Sequence, residues 1–355
     1  MAIAFLNAQF VDPADARVSA LDAGIQHGVG LFETLLGGAA APASPSSTTN
    51  VPHANTGTWA MHLEEHLSRL AQSARELGLS AALNVDALHE ATLDTITRAG
   101  LPRARVRITI TGGDLNLLRA ARPTSTDAPD SATPPTRPHP QGTVLITAVP
   151  ATEYPAQMIT DGVSVAISDA KANPFNPTEA HKTLNYWWRL RELGLAAQRE
   201  GDEALIFSVT NHLVGGCVSS ALLIKDDECI VPICRGEESA VASASSSPAP
   251  PSAAPSGTPE PAPGRPIVLP SAALPGITRA WAINELAGEG ILTRKRLVTI
   301  ADVLEADEVM LLNSSWGVLP VVRVEGRQLN NGVPGDSARL LVSRWNRMLT
   351  ALAGG

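Results

Sequence analysis

Ala204-Leu205-Ile206-Phe207-Ser208-Val209, then Ser219-Ser220-Ala221-Leu222-Leu223-Ile224, then Cys229-Ile230-Val231: three apolar runs follow one another with no helical pattern between them. Short apolar runs bounded by turn residues read as strands. Strands in an unbroken run make a meander, which favours an α+β fold over a doubly wound parallel sheet. Working outward toward the C-terminus, Ile277–Ala287 reads as a helix, and Glu308–Leu312 and Val318–Val324 as strands. Asp336–Leu349 reads as a helix with Ala338, Leu341, Val342, Trp345 and Met348 on one face. Toward the N-terminus, Leu184–Arg199 reads as a helix, and Val163–Ser168 and Gly142–Val149 as strands. Arg105–Thr111 alternates polar and apolar residues, as a half-buried strand does. Met61–Leu77 sets Leu63, Leu67, Leu70, Ala74 and Leu77 on one helical face and stops at Gly78. Val85–Ala99 is a second amphipathic helix closed by Gly100.

Three stretches differ in composition. Ala39–Gly57 is rich in Ala, Pro, Ser and Thr, Arg122–Gln141 in Pro, Thr and Asp, and Gly236–Pro263 in Ser, Ala, Pro and Gly. Such segments bury too little apolar surface to offset the entropy of ordering, and are expected to be flexible surface insertions without chemistry. The chain then divides into an N-terminal α/β domain over residues 1–150, with the first two insertions, and a C-terminal domain over 151–355, with the third.

With 355 residues, 44% of them apolar, there is material for two ordinary cores. A net charge of −8 argues against a nucleic-acid binder, which needs clustered cations. No apolar run is long enough for a membrane span, and the opening MAIAFLNAQFVDPADAR lacks the basic start of a signal peptide. Cys217, Cys229 and Cys234 have neither disulfide nor zinc spacing and are expected as free thiols in a reducing cytoplasm, with no metal implied.

Lysine is scarce: Lys171, Lys182, Lys225 and Lys295 are the whole set. Lys225 and Lys295 stand in charged turns and read as solvated surface charges. Lys182 stands in Ala180-His181-Lys182-Thr183-Leu184-Asn185-Tyr186-Trp187-Trp188, among bulky apolar residues. Desolvation there disfavours an ammonium, and a neutral amine is what condensation with an aldehyde needs. A structural lysine is the competing reading. Leu274-Pro275-Gly276-Ile277-Thr278-Arg279 opens a helix whose backbone N–H groups suit a phosphate, against plain capping by Thr278. Arg69 lies beside the apolar stripe of its helix, where a guanidinium turned inward could meet the same phosphate; an exposed helix arginine is the alternative.

Taken in order along the chain, these pieces resemble the class IV aminotransferases, the fold-type IV pyridoxal-phosphate enzymes. Phe5-Leu6-Asn7-Ala8 with Ser19-Ala20-Leu21-Asp22 and His27-Gly28-Val29-Gly30-Leu31-Phe32-Glu33-Thr34 resembles the family's N-terminal signature. His66-Leu67-Ser68-Arg69-Leu70 resembles its phosphate-arginine helix, and Lys182-Thr183-Leu184-Asn185-Tyr186 its Schiff-base segment. Gly201-Asp202-Glu203-Ala204-Leu205 is similar to the strand that follows, Leu274–Arg279 to its phosphate motif, and Asn313-Ser314-Ser315-Trp316-Gly317-Val318-Leu319-Pro320-Val321 to its last cofactor loop. The resemblance implies a two-domain architecture with a pyridoxal-5'-phosphate-binding C-terminal domain. It implies Lys182 as Schiff-base residue and as proton carrier at the substrate Cα. The phosphate falls to Arg69, the backbone of Ile277 and Thr278, and the Ser314 hydroxyl; Tyr186 lies near the phenolic oxygen, Thr34 on the substrate side. A homodimer is also implied.

Three positions depart from the pattern. Gly215 replaces the carboxylate that keeps the pyridine nitrogen protonated, Ser219-Ser220 replaces Ser-Asn, and Gly112 replaces a substrate-carboxylate arginine. Asp202 and Glu203 are candidates to make good the first loss, Arg105 and Arg107 the last. The resemblance implies an amino-acid aminotransferase. A 4-amino-4-deoxychorismate lyase is the alternative, which the Asn313–Val321 loop resembles more. A cofactor-binding homologue with little or no transaminase activity is the third reading.

Overall fold

The computed structural model describes residues 2–39, 57–114, 142–238 and 269–354. The three expected insertions lie almost wholly outside the described residues. The chain forms two compact units: residues 1–153, 181–186 and 348–355 make the first, residues 154–180 and 187–347 the second.

The first unit contains β1 (Ile3–Leu6), β2 (Gln9–Val11), α1 (Ala23–His27), β3 (Gly30–Ala39), β4 (Thr58–Ala60), α2 (Leu63–Glu76), α3 (Val85–Ala99), β5 (Ala104–Thr111) and β6 (Val144–Pro150). Its six strands form an antiparallel sheet in the order β2-β1-β6-β5-β3-β4. The alternation in β5 comes out as expected: Ala104, Val106, Ile108 and Ile110 are buried, while Arg105 is exposed and Arg107, Thr109 and Thr111 are half-buried. Those buried residues join Leu31 and Leu35 of β3 and Leu63, Leu67, Leu70 and Ala74 of α2 in one core. Each such leucine or isoleucine contributes about 1.5–3 kcal/mol when fully buried. The Asn84 side chain caps α3 by accepting from the Ala87 N–H, and Gly100 ends it in a left-handed conformation at φ 60°.

One part of the sequence reading is corrected. The helix expected from Leu184 begins only at Trp187. Residues 182–184 are instead extended: the Phe32 N–H donates to the Lys182 carbonyl at 2.8 Å, and the Leu184 N–H to the Gly30 carbonyl at 3.0 Å. Leu31 and Thr183 form the bridge between them. The segment takes the edge of the sheet along Gly30–Phe32, which β4 does not cover because it pairs with Gly37–Ala39. Gly30 makes this approach possible, since a Cβ there would lie 2.6 Å from both the Ile110 carbonyl oxygen and the Leu184 side chain.

The second unit contains α4 (Ala156–Thr160), β7 (Val163–Ala172), α5 (Trp187–Gln198), β8 (Glu203–Ser208), β9 (Leu213–Gly216), β10 (Ser220–Lys225), β11 (Glu228–Pro232), α6 (Ile277–Gly288), β12 (Thr293–Arg296), α7 (Ile300–Leu304), β13 (Glu308–Asn313), β14 (Gly317–Val324), β15 (Arg327–Gln328) and α8 (Asp336–Gly354). Its strands run β12-β11-β10-β13-β14-β7-β8-β9, with β15 against β14. The β11–β12, β14–β7 and β7–β8 pairs are parallel and the others antiparallel. This sheet is covered on both faces. In β13, Val309 and Leu311 enter one core, while Met310 and Leu312 enter another with Ala282 and Leu286 of α6 and Ala338 and Leu341 of α8. Burial on both faces is why these strands read as continuous apolar runs rather than alternating ones.

Around residues 239–268 the described chain is closed by local bonds. The Ser271 N–H donates to Glu238, the Ser271 hydroxyl to the Ile233 carbonyl, and the Arg235 N–H to the Ala273 carbonyl. Cys217, Cys229 and Cys234 are free and buried. No helix is long and apolar enough to cross a membrane, and no cluster of metal-binding side chains occurs, both among the described residues.

Candidate active site

The candidate residues fall into two groups, one within each unit. In the first unit, the backbone pairing with β3 directs the Lys182 side chain over two aromatic rings. Its Nζ lies 4.7 Å from the Phe32 ring centre and 5.8 Å from that of Tyr186. The two rings meet edge to face at 5.3 Å. Phe32 also carries Arg107, whose guanidinium carbon lies 3.8 Å from the ring centre. Arg107 is cross-strand from Thr34 on one side and Thr147 on the other, and its Nε donates to the Thr109 hydroxyl at 3.3 Å. Lys182, Tyr186, Arg107 and Thr34 are therefore neighbours around one sheet segment. Arg105, the other arginine considered, is exposed and opposite Leu36 and Val149.

Arg69 is buried, and the sequence reading did not foresee what holds it. Its Nε donates to Glu33 Oε1 at 2.8 Å and its Nη2 to Glu33 Oε2 at 2.7 Å. His66 Nδ1 donates to the same carboxylate at 2.7 Å. Burial would push the Glu33 carboxyl up, but Arg69 and His66 outweigh it and hold the group well below the usual carboxylate range. Burial lowers the pKa of His66, partly offset by Glu33, while Arg69 and the nearby Lys182 lower it further. Glu33 belongs to the N-terminal signature His27–Thr34, which by itself assigns it no role. The one signal for it was an acidic residue in an otherwise apolar strand.

In the second unit, α6 starts at Gly276 with no side-chain cap. The first N–H groups of a helix have no partner within it, so those of Ile277 and Thr278 point out at the positive helix end. Thr278 is buried, and its hydroxyl lies 3.5 Å from that of Ser314. A Cβ at Gly276 would meet the Ser220 hydroxyl at 2.2 Å. Three hydroxyls, Ser220, Thr278 and Ser314, thus gather at an uncapped helix start where a side chain would not fit. That is a setting for a phosphate. In sequence Ser220 stands out only as a departure from the family pattern. Asn313 shapes this end of the sheet, accepting from the Ser315 and Trp316 N–H groups and donating to the Val218 carbonyl at 3.4 Å.

The turn after β9, residues 217–219, also lies here. Of the two acids considered for it, Asp202 accepts from the Ser164 N–H, away from the turn. Glu203 borders it and is fully buried. Oε1 accepts from the Ala204 and Cys217 N–H groups, and Oε2 from the Val218 N–H and the Ser219 hydroxyl. Burial raises its pKa, while these donors pull the other way. With four donors on two oxygens, Glu203 is engaged in holding the turn. Arg189 reaches the same place, its Nη1 donating to the Gly216 carbonyl at 3.4 Å.

The sequence model of the family described as amino-transferase class IV matches residues 51–237 and 264–324. A putative branched-chain-amino-acid aminotransferase of Methanocaldococcus jannaschii is 24% identical over 353 residues, covering 98% of this chain and 96% of that protein. The fold is similar to that of the Escherichia coli branched-chain amino acid aminotransferase, with a TM-score of 0.74 at 21% identity over 99% of this chain and 95% of that one. It is also similar to a T.th. branched-chain amino acid aminotransferase solved with pyridoxamine 5'-phosphate, with a TM-score of 0.72 at 18% identity over 99% and 94% of the two chains. The 4-amino-4-deoxychorismate lyase of Pseudomonas aeruginosa gives a TM-score of 0.66 at 22% identity over 97% and 98%.

Proposed function

The chain belongs to the class IV aminotransferase family, and on that footing we propose that it is a pyridoxal-5'-phosphate enzyme that moves the amino group of an amino-acid substrate. The observation that carries the reading is the pinning of residues 182–184 along β3, which sets one amine over Phe32 and Tyr186. The second unit has, within itself, an uncapped helix start ringed by hydroxyls, a setting that suits a phosphate.

Lys182 would hold the cofactor through Nζ and would carry a proton to and from the substrate Cα. By the family resemblance, the N–H groups of Ile277 and Thr278 and the hydroxyl of Ser314 would hold the phosphate, and Arg69, its guanidinium fixed by Glu33, would add charge. Ser220 joins them. Tyr186 and Phe32 flank the amine, and Thr34 lies on the substrate side. Arg107 receives the substrate's carboxylate, since it lies beside Lys182 on the same ring while Gly112 offers no cation. The cofactor, when bound, supplies the aldehyde and the electron sink. A homodimer in the cytoplasm belongs to the same proposal and rests on the family alone.

The test is the absorption spectrum of the purified protein with pyridoxal phosphate, for wild type and Lys182→Ala. A visible band in wild type only, followed by borohydride fixation of the cofactor on Lys182, is expected; fixation on another lysine, or none, sinks the reading. Bleaching of the band by amino acids with release of the keto acid supports amino transfer. The second reading is a 4-amino-4-deoxychorismate lyase, favoured by the Asn313–Val321 turn. Pyruvate and 4-aminobenzoate released from aminodeoxychorismate, without keto-acid release from amino acids, would select it.

A further inference from the structure

Trp345 of α8 is 2% exposed and touches both elements that carry the phosphate cradle, α6 and the turn after β13. On one side its ring meets that of Trp281 edge to face, the centres 5.2 Å apart. Trp281 follows Thr278 by three positions, so the two lie on one face of α6. On the other side the indole lies against Gly317, where a Cβ would stand 2.4 Å from Nε1 and 2.5 Å from Cδ1 and Cε2. Gly317, at φ 78°, pairs with Asn313 and so closes the turn that carries Ser314.

The helix that bears Trp345 is itself anchored. The Ser337 and Ala338 N–H groups at its start donate to the Glu308 carboxylate of β13 at 3.0 and 2.9 Å. Arg344 Nη1 donates to Glu285 of α6, to its carbonyl at 3.1 Å and its carboxylate at 2.7 Å. An indole on so fixed a base acts as a wedge, because in a close-packed interior one wall moves only if another gives. The buried indole N–H has no acceptor among the described residues, so shape and not a hydrogen bond sets the ring's place. What the wedge spaces is the pair of hydroxyls on Thr278 and Ser314, 3.5 Å apart.

We infer that Trp345 is a positioning residue for phosphate binding, holding the Thr278 and Ser314 hydroxyls at a spacing that lets both reach one anion. This rests on the cradle as the phosphate site. It says nothing of which amino acid is used, so it stands for transaminase and lyase alike.

The experiment titrates four full-length proteins, wild type, Trp345→Phe, Gly317→Ala and the double variant, with pyridoxal phosphate and with pyridoxal in a calorimeter. The readout is the ratio of the two affinities, which isolates the phosphate. In Trp345→Phe the smaller ring leaves the turn loose, and the ratio is expected to fall roughly 10-fold, the scale of one lost hydrogen bond to a charged group. Affinity for pyridoxal should hold whatever the melting temperature does, since a loss of stability alone bears on both ligands equally. Gly317→Ala should lower the ratio too, because its methyl meets the indole. Phenylalanine at 345 makes room for that methyl, so the double variant should hold the phosphate better than Gly317→Ala alone. An unchanged ratio in Trp345→Phe overturns the inference, as does a double variant no better than Gly317→Ala. If Trp345→Phe does not fold, Trp281→Leu loosens the wedge from the α6 side, and a wild-type ratio there is equally fatal. Should wild type bind pyridoxal phosphate no more tightly than pyridoxal, the phosphate reading of the cradle fails and this inference with it. A preference for the phosphate in wild type that the variants leave unmoved confines the failure to Trp345.

Discussion

Glu33 and Arg69, 36 positions apart in sequence, meet through two parallel hydrogen bonds of 2.8 and 2.7 Å, both side chains almost wholly out of water. A two-pronged contact of this kind fixes a guanidinium in orientation as well as place. It ties β3 to α2 inside the first unit, and His66 closes the carboxylate's remaining side.

Removing one partner should therefore be costly. Glu33→Gln leaves the Arg69 charge buried without its counter-ion and is expected to cost about 3–5 kcal/mol. Replacing both, as in Glu33→Gln/Arg69→Met, should cost less than the two single changes added together. Urea midpoints of the four proteins in this cycle check it; strictly additive losses would mean that the pair is not coupled.

Glu237 should shape the acid limb of stability. Burial pushes its carboxyl up, but Arg279, Cys234 and Lys295 prevail and draw it down to about 2. A group depressed in the folded state adds stability above its ordinary value of 4.5 and loses it as pH falls toward 2. Glu237→Gln is expected to be less stable than wild type at neutral pH and to converge on it over that interval. Chemical denaturation along a falling pH series reads this; parallel curves would refute it.

Gly276→Ala tests the phosphate cradle. The added methyl would stand 2.2 Å from the Ser220 hydroxyl and force it aside. Affinity for pyridoxal phosphate, measured calorimetrically, should drop roughly 10-fold, the scale of one lost hydrogen bond to a charged group. Affinity for pyridoxal, which has no phosphate, should change little. Equal losses for both ligands would show that the cradle does not serve the phosphate.

Residues 240–267 should be dispensable. The bonds from Ser271 to Ile233 and Glu238, and from Arg235 to Ala273, close the chain around them. A short Gly-Ser linker in their place is expected to leave the melting temperature within a degree or two, since loop closure depends only weakly on length. A clear fall on heating would show that those residues pack on the body of the protein.

What could be read in advance followed local periodicity. The stripe of Leu63, Leu67, Leu70 and Ala74 gave α2, Gly100 gave the end of α3, and the alternation from Arg105 gave β5, because each depends on neighbours in sequence. The Gly276–Thr278 helix start was legible for the same reason. Residues 184–186 were misread as helix, since their partner, Gly30–Phe32, lies some 150 positions earlier and leaves no local trace. Glu33 was overlooked on similar grounds: an acid in an apolar strand signals an unseen partner without saying which. Arg107 and Glu203 had been named only as substitutes for missing groups. Fold contacts separate them, one against the Phe32 ring and the other bonded to a turn.

The extended stretch at residues 182–184 bears on how turnover can proceed. An amino group borne on a free loop can travel to meet what it reacts with. Here the main chain at that point is a rung of the sheet, and moving it would break two ladder bonds. If Lys182 is the reacting amine as proposed, travel is left to the torsions of its stem, so reactants must be delivered to the nitrogen, and differences in reach among substrates fall on the groups that carry them there.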